Sequence, residues 1–251
     1  MALIHSLEET GNKLFKYRGQ LPLILFLVGL PFIYFNDEIN IYILSRENLY
    51  WTLTAICILF SFYGQYVRAV AIGTSAKHTS GRNTKEQVAD SLNTTGIYSK
   101  VRHPLYLGNY FMWLGIFCYT FNPYFIVIAS LLFWIYYERI MFAEERFLEG
   151  KFGDSYLEWS KKVPAFVPSG KNKIKNQIPF SMKTILRREY SGVTAVIISF
   201  VFIDIVRDYS LMGEFKVNYW YLGVIAAGLM ISLVLRTLKH HTNILNEEDR
   251  S

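Results

Sequence analysis

The chain has 251 residues, of which 52% are apolar, 17% aromatic and 18% charged, with a formal net charge of +6. That composition lies on the apolar side of a soluble domain, and the apolar residues are bunched into long runs. A nucleic-acid binder carries its basic groups on one solvated face; here they fall in loops between apolar runs, so the charge reads as membrane topology and no nucleic-acid partner is expected.

In chain order, Glu8 and Glu9 precede the first apolar run and no small-residue cleavage site follows it, so that run reads as a retained anchor, not a signal peptide. Six apolar segments run roughly over 21–36, 49–72, 104–121, 123–143, 191–207 and 219–236. The predicted fold class is all-α, a polytopic membrane protein of about six apolar helices. The first segment is short and carries Pro22 and Pro31, which predicts a kink or a continuation past Asn36. The second is long enough to span at about 20 residues per crossing. Phe121-Asn122-Pro123 joins the third and fourth without a charge, which predicts a tight helical hairpin, one that need not cross the bilayer fully. The fifth is marginal as a span, because Asp204 lies near its outer end.

Lys and Arg number 3 before residue 21, 6 between 68 and 104, 11 between 139 and 190 and 3 after 235, leaving Arg46, Arg207 and Lys216 for the other side. That bias places both termini and the loops 73–103 and 144–190 in the cytoplasm. Three stretches follow: membrane helices over 1–72, a loop, hairpin and candidate core over 73–168, and a basic linker with a C-terminal helical pair over 169–251. Lys161, Lys162, Lys171, Lys173, Lys175, Lys183, Arg187 and Arg188 lie against the membrane. They satisfy topology and attract anionic lipid at about 1 kcal/mol each, or some of them grip an anionic head group. Cys57 and Cys118 sit inside apolar runs without a CxxC partner, and no histidine has metal-ligand spacing, so no metal site is expected.

Chemistry concentrates where the first large loop meets the third apolar segment. Pro104 suits the first turn of a helix, which puts Arg102 and His103 beside free backbone N–H groups at an anion-favouring helix start. Tyr106, Asn109 or Tyr110, and Trp113 follow at helical spacing, and Gly108 permits close approach by a ligand or a neighbouring helix. Glu144 and Glu145 read as the end of the fourth apolar helix, a position the helix dipole disfavours for acids. Glu138 lies two turns before Glu145 on the same face. Arginine, histidine and paired carboxylates at one membrane interface suit a zwitterionic ligand.

The ordered pattern Gly96-x-Tyr98-x-x-Val101-Arg102-His103-Pro104-x-Tyr106-x-Gly108, the Asn122-Pro123 turn, Glu144-Glu145-x-x-Leu148-x-x-x-Phe152-Gly153-x-x-Tyr156-x-x-Trp159 and Val163-Pro164-x-x-x-Pro168 resembles the integral-membrane isoprenylcysteine carboxyl methyltransferases, and phospholipid methyltransferases share it. The resemblance implies S-adenosyl-L-methionine as cofactor, held by Tyr98, His103, Tyr106, Leu107, Gly108, Glu144 and Glu145 under the cytoplasmic membrane surface. In this reading His103 and the helix start hold the cofactor carboxylate, and Glu145 or Glu144 holds its ammonium or ribose. Arg102 and Glu145 are the candidate catalytic residues, with Arg102 orienting an anionic acceptor. The expected partners are the lipid bilayer and a membrane lipid or lipidated acceptor.

The acceptor stays open between a lipid head group or phosphate and a lipidated cysteine carboxylate. An anionic oxygen needs no base, whereas an amine calls for a nearby carboxylate or Tyr98. The polar loop holding Arg82 and Asn83, candidates for a phosphate-bearing head group, and the two apolar segments after the motif do not match the prenylcysteine enzymes. A nicotinamide-dependent, sterol-reductase-like oxidoreductase is the alternative. The simple N-terminus leans to a bacterial inner membrane.

Overall fold

The computed structural model describes residues 2–76, 79, 87–170, 174–215 and 218–247. The described residues are helical, without a strand: α1 (Leu3–Lys16), α2 (Leu21–Tyr34), α3 (Asp37–Leu44), α4 (Glu47–Gly73), a 3-10 turn (Gly96–Ser99), α5 (Pro104–Tyr119), α6 (Pro123–Phe152), α7 (Asp154–Lys162), α8 (Met182–Met212) and α9 (Tyr219–His241). Among them α4, α6, α8 and α9 are long and apolar enough to cross a membrane. The α1–α2 pair, bent by 81°, gives a fifth span if it counts as one broken crossing.

All six predicted apolar segments are helices, with two refinements at the proline-bearing first one. Pro22 sits in the first turn of α2, where a missing N–H costs little. The helix stops at Tyr34, and the chain resumes beyond Asn36 as the separate short helix α3. The predicted hairpin between α5 and α6 is present. The Asn122 side chain accepts a hydrogen bond from the Phe125 N–H at 3.0 Å, capping α6. With 16 residues, α5 is about 24 Å long, short of the ~30 Å hydrocarbon core.

One sequence expectation is corrected. Glu144 and Glu145 do not end α6, which runs on to Phe152 and stops at Gly153, whose φ of 52° few other residues adopt. The apolar run ends before the helix does, because Glu, Arg, Phe and Leu after residue 143 are all good or tolerable helix formers. The pair therefore stands on the flank of α6, two turns from its negative end.

Helix α5 packs most closely on α4. A Cβ on Gly64 would come within 2.3 Å of the Met112 N and 2.4 Å of the Gly108 O, so only glycine lets the two backbones meet there. At the elbow between α1 and α2, the Tyr137 hydroxyl donates to the Arg18 carbonyl at 2.8 Å and Tyr136 to Leu14 at 3.0 Å, tying the N-terminal helices to α6. Phe117, Phe125, Phe133, Tyr137 and Ile140 form the buried aromatic core between them. Leu23, Phe62, Leu131 and Leu233 face outward as a lipid-contacting surface does.

At the hairpin end lies a sealed polar cluster. Arg207 is 1% exposed; its Nη1 donates to Asp204 Oδ1 at 2.6 Å, and its Nη2 to the Tyr119 carbonyl. The Tyr119 hydroxyl donates to Asp204 at 2.8 Å, and the guanidinium lies over the Phe121 ring at 4.4 Å. Asp204, which made the fifth segment look marginal, is thus neutralised from its own helix one turn on.

Candidate active site

The two loops that carry the motif are stitched together before any side chain enters the site. The backbone N–H groups of Arg102 and His103 donate to the carbonyls of Pro164 and Ala165 at 2.9 and 3.1 Å, and Ser169 donates to Lys100 at 2.9 Å. This short ladder holds the start of α5 against the chain leaving α7. Val163, Pro164 and Pro168 of the motif serve here: prolines have no N–H of their own to satisfy in such a strap.

On that base Arg102 clamps α6 to α7. Its Nε and Nη2 grip both carboxylate oxygens of Glu145 at 2.9 Å, and its Nη1 donates to the carbonyls of Ser160 and Val163 at 2.9 and 2.6 Å. The bidentate fork is the geometry for which arginine is suited and lysine is not. His103 Nε2 lies 2.9 Å from Glu145 Oε1, and its Nδ1 3.5 Å from Glu144 Oε2. Burial works against the imidazolium, but the hydrogen bonds to Glu144 and Glu145 outweigh it and raise the pKa of His103 above the ordinary value. The charged form has both ring nitrogens donating, one toward each carboxylate. Tyr106 donates to Glu144 Oε1 at 2.7 Å, and its ring stacks on His103 with centroids 5.7 Å apart.

These groups border a cavity of about 520 Å³, within the usual range for a small-molecule site. Tyr98, Arg102, His103, Tyr106 and Glu144 line it. The other expected residues lie elsewhere. Glu145 stands behind the wall, held by Arg102 and His103. Leu107 turns into a buried cluster with Val67 and Val101. Gly108 faces α4, where a Cβ would meet Arg68 Cγ at 2.5 Å; of the two neighbours expected for it, the helix is the one present. Glu138 is exposed on α6 and does not line the cavity. Arg82 and Asn83 lie outside the described residues. Tyr98 is buried enough that its hydroxyl pKa is pushed up, so it is a poor base.

Two charged residues on the cavity wall, Arg68 and Glu189, escaped the sequence reading. Arg68 of α4 grips Glu189 of α8 through Nε and Nη2, both at 2.7 Å, and its Nη1 donates to Asn109 of α5. Gln65 adds a bond to Glu189 at 2.8 Å, and Glu189 is 4% exposed. An arginine inside an apolar run demands a partner, and that was the available signal. The partner lies 121 residues away, so spacing alone could not name it.

Comparison with known proteins finds likeness over the segment that carries these residues. Residues 49–155 match the family model described as phospholipid methyltransferase. The protein-S-isoprenylcysteine O-methyltransferase of Schizosaccharomyces pombe is 37% identical over 114 residues, covering 43% of this chain and 47% of the relative. The enzyme of that name from Saccharomyces cerevisiae is 31% identical over 121 residues, 46% and 48% of the two chains, and the human one 29% over 133 residues, 49% and 46%. The match thus spans about half the length of these curated relatives. No solved structure matches. The matched segment takes in nearly all of α4, then α5, α6 and the whole Arg102–His103–Tyr106–Glu144–Glu145 constellation, and over it the chain is similar to the phospholipid methyltransferase model and to the isoprenylcysteine O-methyltransferases.

Proposed function

We propose that this protein transfers a methyl group from S-adenosyl-L-methionine to a membrane-embedded acceptor, at a site on the cytoplasmic face of the bilayer. The observation that carries the reading is the convergence of Tyr98, His103 and Tyr106 with the Glu144 carboxylate on one cavity. The residues fit such a donor: a carboxylate for an ammonium or ribose hydroxyls, a cationic imidazole for a carboxylate, and aromatic faces for an adenine. When bound, the cofactor supplies an electrophilic sulfonium methyl.

The chain's own groups divide the work. Glu144 is the acid that faces the ligand, and Tyr106 orients it. Arg102 and His103 hold Glu145 ionised behind it, which fixes the flank of α6 relative to the start of α5. Arg102 therefore acts through Glu145 rather than by orienting the acceptor. The rate advantage in such a displacement comes chiefly from holding the reactants in line and away from water. The raised pKa of Tyr98 takes it out as a base, so an amine acceptor would rely on Glu144, whereas an anionic acceptor needs no base.

The acceptor follows from the family only by class. The named relatives are isoprenylcysteine O-methyltransferases and the matching model is of phospholipid methyltransferases, so a lipidated cysteine carboxylate and a lipid head group or phosphate are the two acceptors to supply. The nicotinamide alternative finds no support among these relatives. The test is stabilisation of the purified protein by S-adenosylhomocysteine, with labelled methyl transfer into the lipid phase of proteoliposomes and Glu145→Ala as control. Absence of stabilisation by S-adenosylhomocysteine would sink the reading.

A further inference from the structure

After α9 the chain turns back on itself. The Thr242 hydroxyl donates to the Leu238 carbonyl at 2.6 Å, and the Asn246 N–H donates to the Asn243 carbonyl at 3.0 Å. Leu245 is 5% exposed, so this turn is seated against the protein. Glu247 follows it and reaches the start of α8, where its Oε2 accepts from the Ser181 hydroxyl.

Ser181 is the cap of α8. Its Oγ accepts from the Thr184 N–H at 3.0 Å, its own N–H donates to the Gly73 carbonyl at 2.9 Å, and it is 4% exposed. Gly73 is the last residue of α4, and a Cβ there would come within 2.9 Å of Phe180 and Ile185. One serine thus joins the end of α4, the start of α8 and the segment after α9. The first turn of α8 holds no acid and one cation, Lys183, with Arg187 a turn further on. Cations are disfavoured at the positive end of a helix dipole and a carboxylate is favoured there. Glu247 supplies, from 66 residues away, the charge that the helix's own first turn omits.

The same stretch of α8 builds part of the cavity. Arg188 and Glu189 line it, two turns after Ser181, and eight residues of α-helix rise about 12 Å. Glu189 anchors Arg68, whose Nη1 donates to Asn109, and Arg68 and Asn109 line the cavity as well. The first turn of a helix has no intrahelical partner for its N–H groups and depends on its cap.

We propose that Glu247 is a positioning residue: through the Ser181 cap it fixes the first turns of α8, and through Glu189 and Arg68 it sets the part of the cavity wall that α8 shares with α4 and α5. What the cavity binds rests on the methyltransferase reading. The clasp gives the segment after α9, which lies outside the matched residues 49–155, a part in the site.

The experiment is amide hydrogen exchange, read by mass spectrometry on the detergent-solubilised full chain, paired with methyl-transfer kinetics. Glu247→Gln should raise exchange over residues 182–189 about three-fold, and Ser181→Ala about five-fold. Residues 200–207 of the same helix should exchange as in wild type, and Glu247→Asp should recover part of the loss. Both side chains act through one hydroxyl, so the double variant should show less than the product of the two effects. Glu247→Gln should also raise the KM for S-adenosyl-L-methionine about three-fold with kcat within about two-fold of wild type. Unchanged exchange at the start of α8 in Glu247→Gln overturns the clasp. Raised exchange with an unaltered KM overturns the positioning role. A wild-type protein that is not stabilised by S-adenosylhomocysteine overturns the methyltransferase reading instead, and the exchange measurement then decides the clasp alone.

Discussion

Two arginine–carboxylate clusters stand at opposite ends of α5, and they differ in one respect that matters. At the start of the helix, Arg102, His103, Glu144 and Glu145 border a cavity; at its end, Arg207, Asp204 and Tyr119 are sealed among Phe121 and other apolar groups. Each cluster holds a buried cation with strong, short bonds. Only the first leaves an acid, Glu144, facing an open volume. Buried charge in a membrane protein marks a candidate site, but access to a cavity separates one that can act from one that joins helices.

The contrast can be broken most forcefully at the sealed end. Arg207→Met leaves Asp204 buried without its cation and should cost about 3–5 kcal/mol of stability. The fraction that folds should transfer methyl at a rate within about two-fold of wild type, because the two clusters share no partner. A large loss of specific activity in folded protein would make the hairpin end part of the site.

At the open end the outcome should invert. Arg102→Ala releases Glu145 and the strand of chain after α7, and should lower methyl transfer by about 10²-fold through misplacement alone. Arg102→Lys should rescue little, since an ammonium cannot reproduce the fork. Near-normal turnover in Arg102→Ala would contradict the clamp. A smaller effect separates the two acids: Glu144→Gln should weaken S-adenosylhomocysteine about ten-fold, measured by calorimetry, with the melting temperature little changed.

The smallest effect is the pH dependence of His103. Its folded pKa is raised, so the stability it contributes is fully present below its ordinary value near 6.5 and is lost as pH rises through the folded value. Thermal stability should therefore fall, as pH rises above about 6.5, more in wild type than in His103→Gln. Equal slopes for the two proteins would show that the imidazolium between the acids adds no stability.

Much of this was readable in the chain because long apolar runs have few ways to fold, and the Arg102-His103-Pro104 and Glu144-Glu145 motifs bracket a single hairpin. Closing that hairpin brings residues 43 apart into contact with no other information needed. Three features were not readable, each for a physical reason. The amphipathic α1 and the short α3 lack an apolar run. The continuation of α6 past the apolar boundary depends on backbone bonds indifferent to hydropathy. The α8 wall depends on tertiary contacts, Arg68 with Glu189 above all, whose partners are over a hundred residues apart. The side of Gly108 was open in the sequence, since close approach to a ligand and to a helix ask the same of a residue.

The Arg102 clamp also imposes an order on synthesis. Two of its acceptors are the carbonyls of Ser160 and Val163, and the ladder behind it needs Pro164 and Ala165. A nascent chain that has inserted α4, α5 and most of α6 has the signature residues but no partner for half of the guanidinium. The site is completed only once residue 165 has left the ribosome, and the α8 wall later still. A chain stopped after α6 would resemble a methyltransferase in sequence while lacking the clamp that positions its acids.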